Sequence, residues 1–244
     1  MLDDFIDDQL GRIGQGGNFK SPRTVKNYMD IISAVFNFAI KRGYAVTNPT
    51  HLVRQEDYKP PVGILKPEEI KGLLKHADHY MACWIMLGAF GGLRSSEIGL
   101  VRWENIRLEE NQFFVDGKKN VCAQRWIHLT PPLKAFFQKL LAAGPRTGLV
   151  MAGMKMATIC RRRQRLCKKA EITIPRNALR HSFGSHHLVK YGNPYNTAGE
   201  MGHSTPQTTF AHYREAVLKS QADKYWAVRM GAFAESEEDV EIAA

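Results

Sequence analysis

The chain has 244 residues, 44% hydrophobic and 24% charged, which excludes a wholly disordered chain and is enough to bury a core without disulfide staples. Lys and Arg number 34 against 24 Asp and Glu, a net charge of +10. Five of those acids (Glu235, Glu237, Glu238, Asp239, Glu241) fall in the last ten residues, so the body before them carries +15. A body this basic expects a polyanion, with nucleic acid first.

The four cysteines, Cys83, Cys122, Cys160 and Cys167, form no CxxC pair. That argues against a zinc ribbon or a disulfide framework, and Cys83, inside an apolar run, reads as a buried free thiol. The acidic start MLDDFIDDQL is no signal peptide. The longest apolar stretch, Met81 to Phe90, is about half a membrane span. The expected setting is cytoplasmic and nucleoid-associated, with no membrane.

In chain order, Leu2 to Ile13 alternates acidic and apolar residues at helical spacing, and GQGGNFKSP breaks it. Ser21-Pro22 opens a second helix, with Ser as cap and Pro at the first position. Its apolar residues recur from Val25 to Ile40, and Gly43 ends it. Asn48-Pro49 and Lys59-Pro60-Pro61 mark a linker. Two helices make a poor core, so this segment expects a partner surface. Pro67-Glu68-Glu69 starts a third helix and Met81–Phe90 forms a fourth. Gly91-Gly92 stops it, and a short helix follows near Ser95. Residues 112–115 and 124–129, with a turn at Asp116-Gly117, predict a small antiparallel sheet. Thr130-Pro131-Pro132 begins a helix to about Ala143. A basic helix spans 155–170, and others are expected from Asn177 to Tyr191, from Asn193 to Met201 and around 214–230. The fold class is mainly α with a small antiparallel sheet.

The chemistry-bearing residues fall at element ends. Gly91-Gly92-Leu93-Arg94-Ser95-Ser96-Glu97 puts an arginine directly after a helix stop and an acid one turn on; alone, that is a local ion pair. Asp116-Gly117-Lys118-Lys119-Asn120 places two lysines at a hairpin tip, a solvated turn or a phosphate contact. Asn177-Ala178-Leu179-Arg180-His181 opens a helix. Gly202-His203-Ser204 and His212-Tyr213-Arg214 follow in that order. His181, His186 and His187 have poor spacing for a metal, which leaves packing and phosphate contact.

Together these segments resemble the tyrosine recombinase family of the phage-integrase type. GGLRSSEIGLVRWENI, GKKN…RWIHL, LRHSFGSHHL and MGHSTPQTTFAHYRE match its motifs in family order. The resemblance spans roughly residues 60–230, and more weakly 21–49. It implies a partial helical core-binding domain over 1–59, a catalytic domain over 60–233 and an acidic tail over 234–244. It implies Arg94 and Arg180 as a phosphate clamp and Lys118 as the general acid, with Lys119 as the alternative. His203 would contact the phosphate, Tyr213 would be the nucleophile and Glu97 would support the first arginine. Two departures point to a divergent subgroup. The family's usual histidine three residues before the second arginine is Asn177 here, which can hydrogen-bond but cannot take a proton. One extra residue also separates Thr208-Thr209 from Tyr213.

The chemistry is coherent. Attack on a phosphodiester builds a second negative charge, which two guanidiniums bind bidentately. Tyrosine, with a reference pKa near about 10, needs a cationic setting or a base. Exchange of one phosphodiester-like bond for another conserves bond energy, so no cofactor, ATP or metal, is expected.

The double-stranded DNA contacts expected are Arg161, Arg162, Arg163, Arg165, Lys168 and Lys169 on the basic helix, and Lys20, Arg23, Lys26, Lys41 and Arg42 before the linker. The resemblance implies four protomers on two DNA sites, an accessory directionality factor, and integration or excision of a mobile element. The C-terminal helix near Leu218–Ala232 packs either on a neighbouring protomer or in cis. The rival readings are a non-catalytic DNA-binding relative and a topoisomerase of type IB that rejoins the same strand.

Overall fold

The structure is a computed structural model that describes residues 2–12, 20–52, 63–117, 124–207, 209, 217–229 and 231. Lys118, Lys119, Cys122, Tyr213 and the acidic tail lie outside the described residues. Backbone packing divides the chain into two units, Met1–Pro61 and Val62–Ala244.

In the first unit, α1 (Leu2–Gly11) packs on α2 (Pro22–Lys41). Ser21 caps α2 by accepting from the Thr24 N–H at 3.2 Å, with Pro22 at the first helical position. The turn after α2 closes at Gly43, whose φ of +74° a side chain disfavours. Asn48 draws the following segment back onto α2, donating to Ser33 Oγ at 3.0 Å and Asn37 Oδ1 at 2.9 Å. Val25 and Met29 are buried, while Ile31 and Val35, on the apolar face for which a partner surface is expected, are exposed.

The second unit is built around α4 (His79–Gly91), buried on every side from Met81 to Gly91. Asp78 caps it by accepting from the Met81 N–H at 2.7 Å, and it ends at Gly92 in the left-handed region, φ +66°. Around it stand α3 (Pro67–His76), α5 (Ser95–Ile98), α6 (Pro131–Ala142), α7 (Met156–Ala170) and α8 (Ala178–Tyr191). The Thr130 hydroxyl donates to the Phe90 carbonyl at 2.7 Å and ties the start of α6 to the end of α4.

The sheet has three antiparallel strands in the order β1 (Ile106–Arg107), β2 (Gln112–Asp116) and β3 (Gln124–His128). Phe113 pairs with Ile127 and Val115 with Arg125. The sequence signals only the last two strands, because β1 is two residues long and shows no alternation.

A short α9 (Pro194–Met201) follows α8, and α10 (Lys219–Trp226) is shorter than the 214–230 expectation. α10 packs in cis. Tyr225 stacks on His186 with ring centroids 3.8 Å apart, its hydroxyl donates to the Ala89 carbonyl, and Trp226 donates to the His186 carbonyl at 3.3 Å. Among the described residues, no helix is long and apolar enough to cross a membrane.

Candidate active site

The site assembles around one buried carboxylate. Glu97 lies in the single turn of α5 and is 4% exposed. Its Oε2 accepts from the Arg94 backbone N–H at 2.9 Å, and Oε1 accepts from the Arg94 guanidinium at 2.7 Å. Arg125 reaches the same carboxylate from β3, with Nη2 3.2 Å from Oε2 and Nη1 3.4 Å from Oε1. Arg180 comes from the first turn of α8, its Nη1 3.7 Å from Oε2. Burial pushes the Glu97 carboxyl up, but Arg125 foremost, with the Arg94 N–H and Arg180, brings its pKa below the usual carboxylate value. Glu97 is therefore ionised at neutral pH, one negative charge among three guanidiniums.

The arginines are set by backbone carbonyls as well. Arg180 is 6% exposed and donates to the Gly92 and Met201 carbonyls, both at 2.6 Å. Arg94 donates to the Gly202 carbonyl at 3.1 Å, and its side chain is the most open of the three at 25% exposure. The left-handed Gly92 that stops α4 therefore also anchors Arg180. A Cβ on Gly92 would lie 2.5 Å from Phe183 Cδ1.

α9 ends at Gly202, φ +64°, and His203 follows with its N–H donating to the Ala198 carbonyl at 2.9 Å. His203 Nδ1 lies 3.0 Å from the hydroxyl of fully buried Thr209. A hydroxyl that donates to Nδ1 places the ring proton on Nε2, the tautomer that donates to a phosphate oxygen. Asn177 is exposed at the start of α8, at φ +59°, and makes no cap bond with its side chain. With Ser95, Arg163 and Arg180 it lines a small pocket over Trp84.

Arg94, Glu97, Arg180 and His203 are thus brought together, and Asn177 stands one turn from Arg180. Arg125 carries no role in the sequence reading. Its signal is its register: on β3 it shares the inward face with Ile127 and Leu129, an unusual place for an arginine. Glu200 is also missed. It is 8% exposed and accepts from the His128 N–H at 3.0 Å, with His128 Nδ1 2.6 Å away. His186 and His187 serve packing: His186 bonds the Ser182 carbonyl, His187 bonds Thr197, and burial lowers both to about 4.

Of the basic residues on α7, Arg161, Arg165, Lys168 and Lys169 are exposed and Arg163 is half-buried. Arg162 turns inward instead. It donates to Asp78 at 3.2 Å and lies 5.6 Å from the Tyr80 ring, because its helical face meets the start of α4. In the first unit, Arg23, Lys26, Lys41 and Arg42 are exposed, while Lys20 is drawn to Gln9 Oε1 at 2.5 Å.

The fold is shared with solved integrases. One is the integrase of transposon Tn1549, in complex with transposon right end DNA: TM-score 0.65, 21% identity, covering 91% of this chain and 84% of that one. Another is a lambda integrase dimer bound to a COC′ core site: TM-score 0.63, 16% identity, covering 85% and 77%. The chain belongs to the phage integrase family, whose profile matches residues 64–219. It is also 26% identical over 178 residues to the tyrosine recombinase XerA of Saccharolobus solfataricus, a match covering 68% of this chain and 60% of that protein.

Proposed function

We propose that this chain is a site-specific DNA recombinase that cuts and rejoins double-stranded DNA through a 3′-phosphotyrosyl intermediate. The observation that carries the reading is the convergence of Arg94 and Arg180 on ionised Glu97, beside the turn that presents His203. Three guanidiniums against one carboxylate leave two positive charges, which suits a phosphodiester acquiring its second negative charge. In this reading the Tyr213 oxygen attacks the phosphorus and the bond to the 5′ oxygen breaks. Lys118, or Lys119, protonates the departing oxygen. A 5′-hydroxyl from a partner duplex then attacks the phosphotyrosine, the tyrosine leaves, and the strands are exchanged.

Arg94 and Arg180 hold the non-bridging oxygens, and His203 donates from Nε2. Asn177 supplies a hydrogen bond where it cannot supply a base. The exposed bases of α7, with Arg23, Lys26, Lys41 and Arg42, bind the duplex backbone, which associates the protein with the nucleoid. Residues 1–59 act as a partial core-binding domain, 60–233 as the catalytic domain and 234–244 as an acidic tail. Four protomers on two sites, assisted by a directionality factor, integrate or excise a mobile element. The DNA-bound integrases of the same fold and the XerA relative support the DNA partner and the recombinase reading.

The test uses a pool of nicked duplexes with a randomised core. Wild type is expected to give protein–DNA adducts that survive denaturant, and sequencing them yields the site. Tyr213→Phe is expected to give none. Specific binding without any adduct would overturn the reading in favour of a non-catalytic relative. Rejoining confined to the original strand would replace it with a topoisomerase.

A further inference from the structure

Three consecutive carbonyls at the end of α9 are each held by a different arginine. Arg125 Nε donates to the Glu200 carbonyl at 2.8 Å, Arg180 to Met201 at 2.6 Å, and Arg94 to Gly202 at 3.1 Å. The same three guanidiniums meet on Glu97. The end of a helix carries partial negative charge and unpaired carbonyls, so cations belong there. A separate cation for each of three successive carbonyls, all referred to one carboxylate, fixes the segment leading into His203 against both clamp arginines.

We propose that Arg125 is a positioning residue of the active site: it acts through Glu97 and the Glu200 carbonyl to hold Arg94, Arg180 and His203 in one geometry. The assignment rests on the recombinase reading above. Arg125 is 9% exposed at its side chain, so it reaches the reaction through these partners rather than by facing the duplex. Its planar fork meets both carboxylate oxygens while Nε meets the carbonyl, and lysine, with one ammonium on a flexible stem, cannot span all three acceptors. Its charge matters too. Glu97 cancels one of the three positive charges, so without Arg125 the cluster keeps one where the reaction draws on two. His128, three residues along β3, ties the Glu200 carboxylate to the same strand, so a second set of bonds joins β3 to the end of α9.

The test compares wild type, Arg125→Lys and Arg125→Gln on the duplex recovered from the randomised pool. It reads DNA affinity, single-turnover cleavage across pH, and thermal unfolding. Arg125→Lys keeps the buried charge and so remains folded. Its affinity is expected to stay within about threefold of wild type while cleavage falls about 100-fold, the signature of lost geometry rather than lost binding. In Arg125→Gln the acidic limb of the cleavage profile moves to higher pH. Glu97 then keeps only Arg94 and Arg180 around it and holds its proton more readily. Cleavage by Arg125→Lys at the wild-type rate, or affinity and cleavage falling together with an unmoved pH profile, would overturn the assignment. A wild type that yields no adduct overturns the recombinase reading and this assignment with it.

Discussion

Arg94 and Glu97 meet twice: the Arg94 guanidinium donates to Oε1 at 2.7 Å, and its backbone N–H donates to Oε2 at 2.9 Å. The second bond caps the short α5, so the helix start and the Arg94 guanidinium share one carboxylate. Glu97→Gln leaves three guanidiniums without a counter-charge. It is expected to cost about 3 kcal/mol at neutral pH, as for other broken buried pairs. The folded pKa of Glu97 lies below its unfolded value of 4.5. The stabilisation is therefore complete above that value and is lost as pH falls through the lower folded value. Urea unfolding of both proteins should show a gap that closes in acid.

Gly92→Ala combines left-handed strain with a Cβ 2.5 Å from Phe183 Cδ1, and it displaces the carbonyl that holds Arg180. We expect about 2–4 kcal/mol of destabilisation in chemical unfolding. The protein that remains folded should cleave more slowly than wild type.

On α7 the bases divide by face. Lys168→Ala should lower the slope of log affinity against log salt by about one while leaving stability within about 0.5 kcal/mol. Arg162→Ala should do the reverse. It breaks the bond to Asp78, which also caps α4, and is expected to cost about 1–2 kcal/mol with an unchanged salt slope. Paired binding and unfolding titrations separate the two effects.

Burial lowers His186 and His187 from 6.5 to about 4. Because the unfolded chain takes up protons first, stability is complete above pH 6.5 and declines as pH falls toward 4. The melting temperature should drop between pH 7 and pH 5, and His187→Gln should flatten that dependence.

Thr209→Val removes the hydroxyl 3.0 Å from His203 Nδ1 and frees the ring to take the other tautomer. Cleavage is expected to fall about tenfold to 100-fold, the order of loss seen when the hydrogen-bond partner that orients a metal-ligating histidine is removed, with DNA affinity preserved.

Much of the second unit was legible in the residue pattern. The buried α4, its stop at Gly91-Gly92, the hairpin strands and the basic α7 all announce themselves through local periodicity and turn chemistry. Arg94 and Glu97 are three residues apart, so their pairing could be expected from the chain alone. β1 was invisible because two residues carry no period. The long α2 pattern indicated an apolar face that includes Ile31 and Val35, yet these are exposed, because periodicity states which residues share a face and not whether anything covers it.

What the sequence by itself determined is the family, the element order apart from β1, and the identities of Arg94, Arg180 and His203 as residues at element ends. Those follow from short-range spacing and charge. Only the tertiary structure decided that Arg125 joins Glu97 across 28 positions, that Glu200 is held by His128 across 72, and that Arg162 turns inward to Asp78 across 84. Such contacts depend on how a strand's inward face and a helix's end meet after folding, and neither leaves a local mark in the chain except an arginine at a register position meant for an apolar side chain.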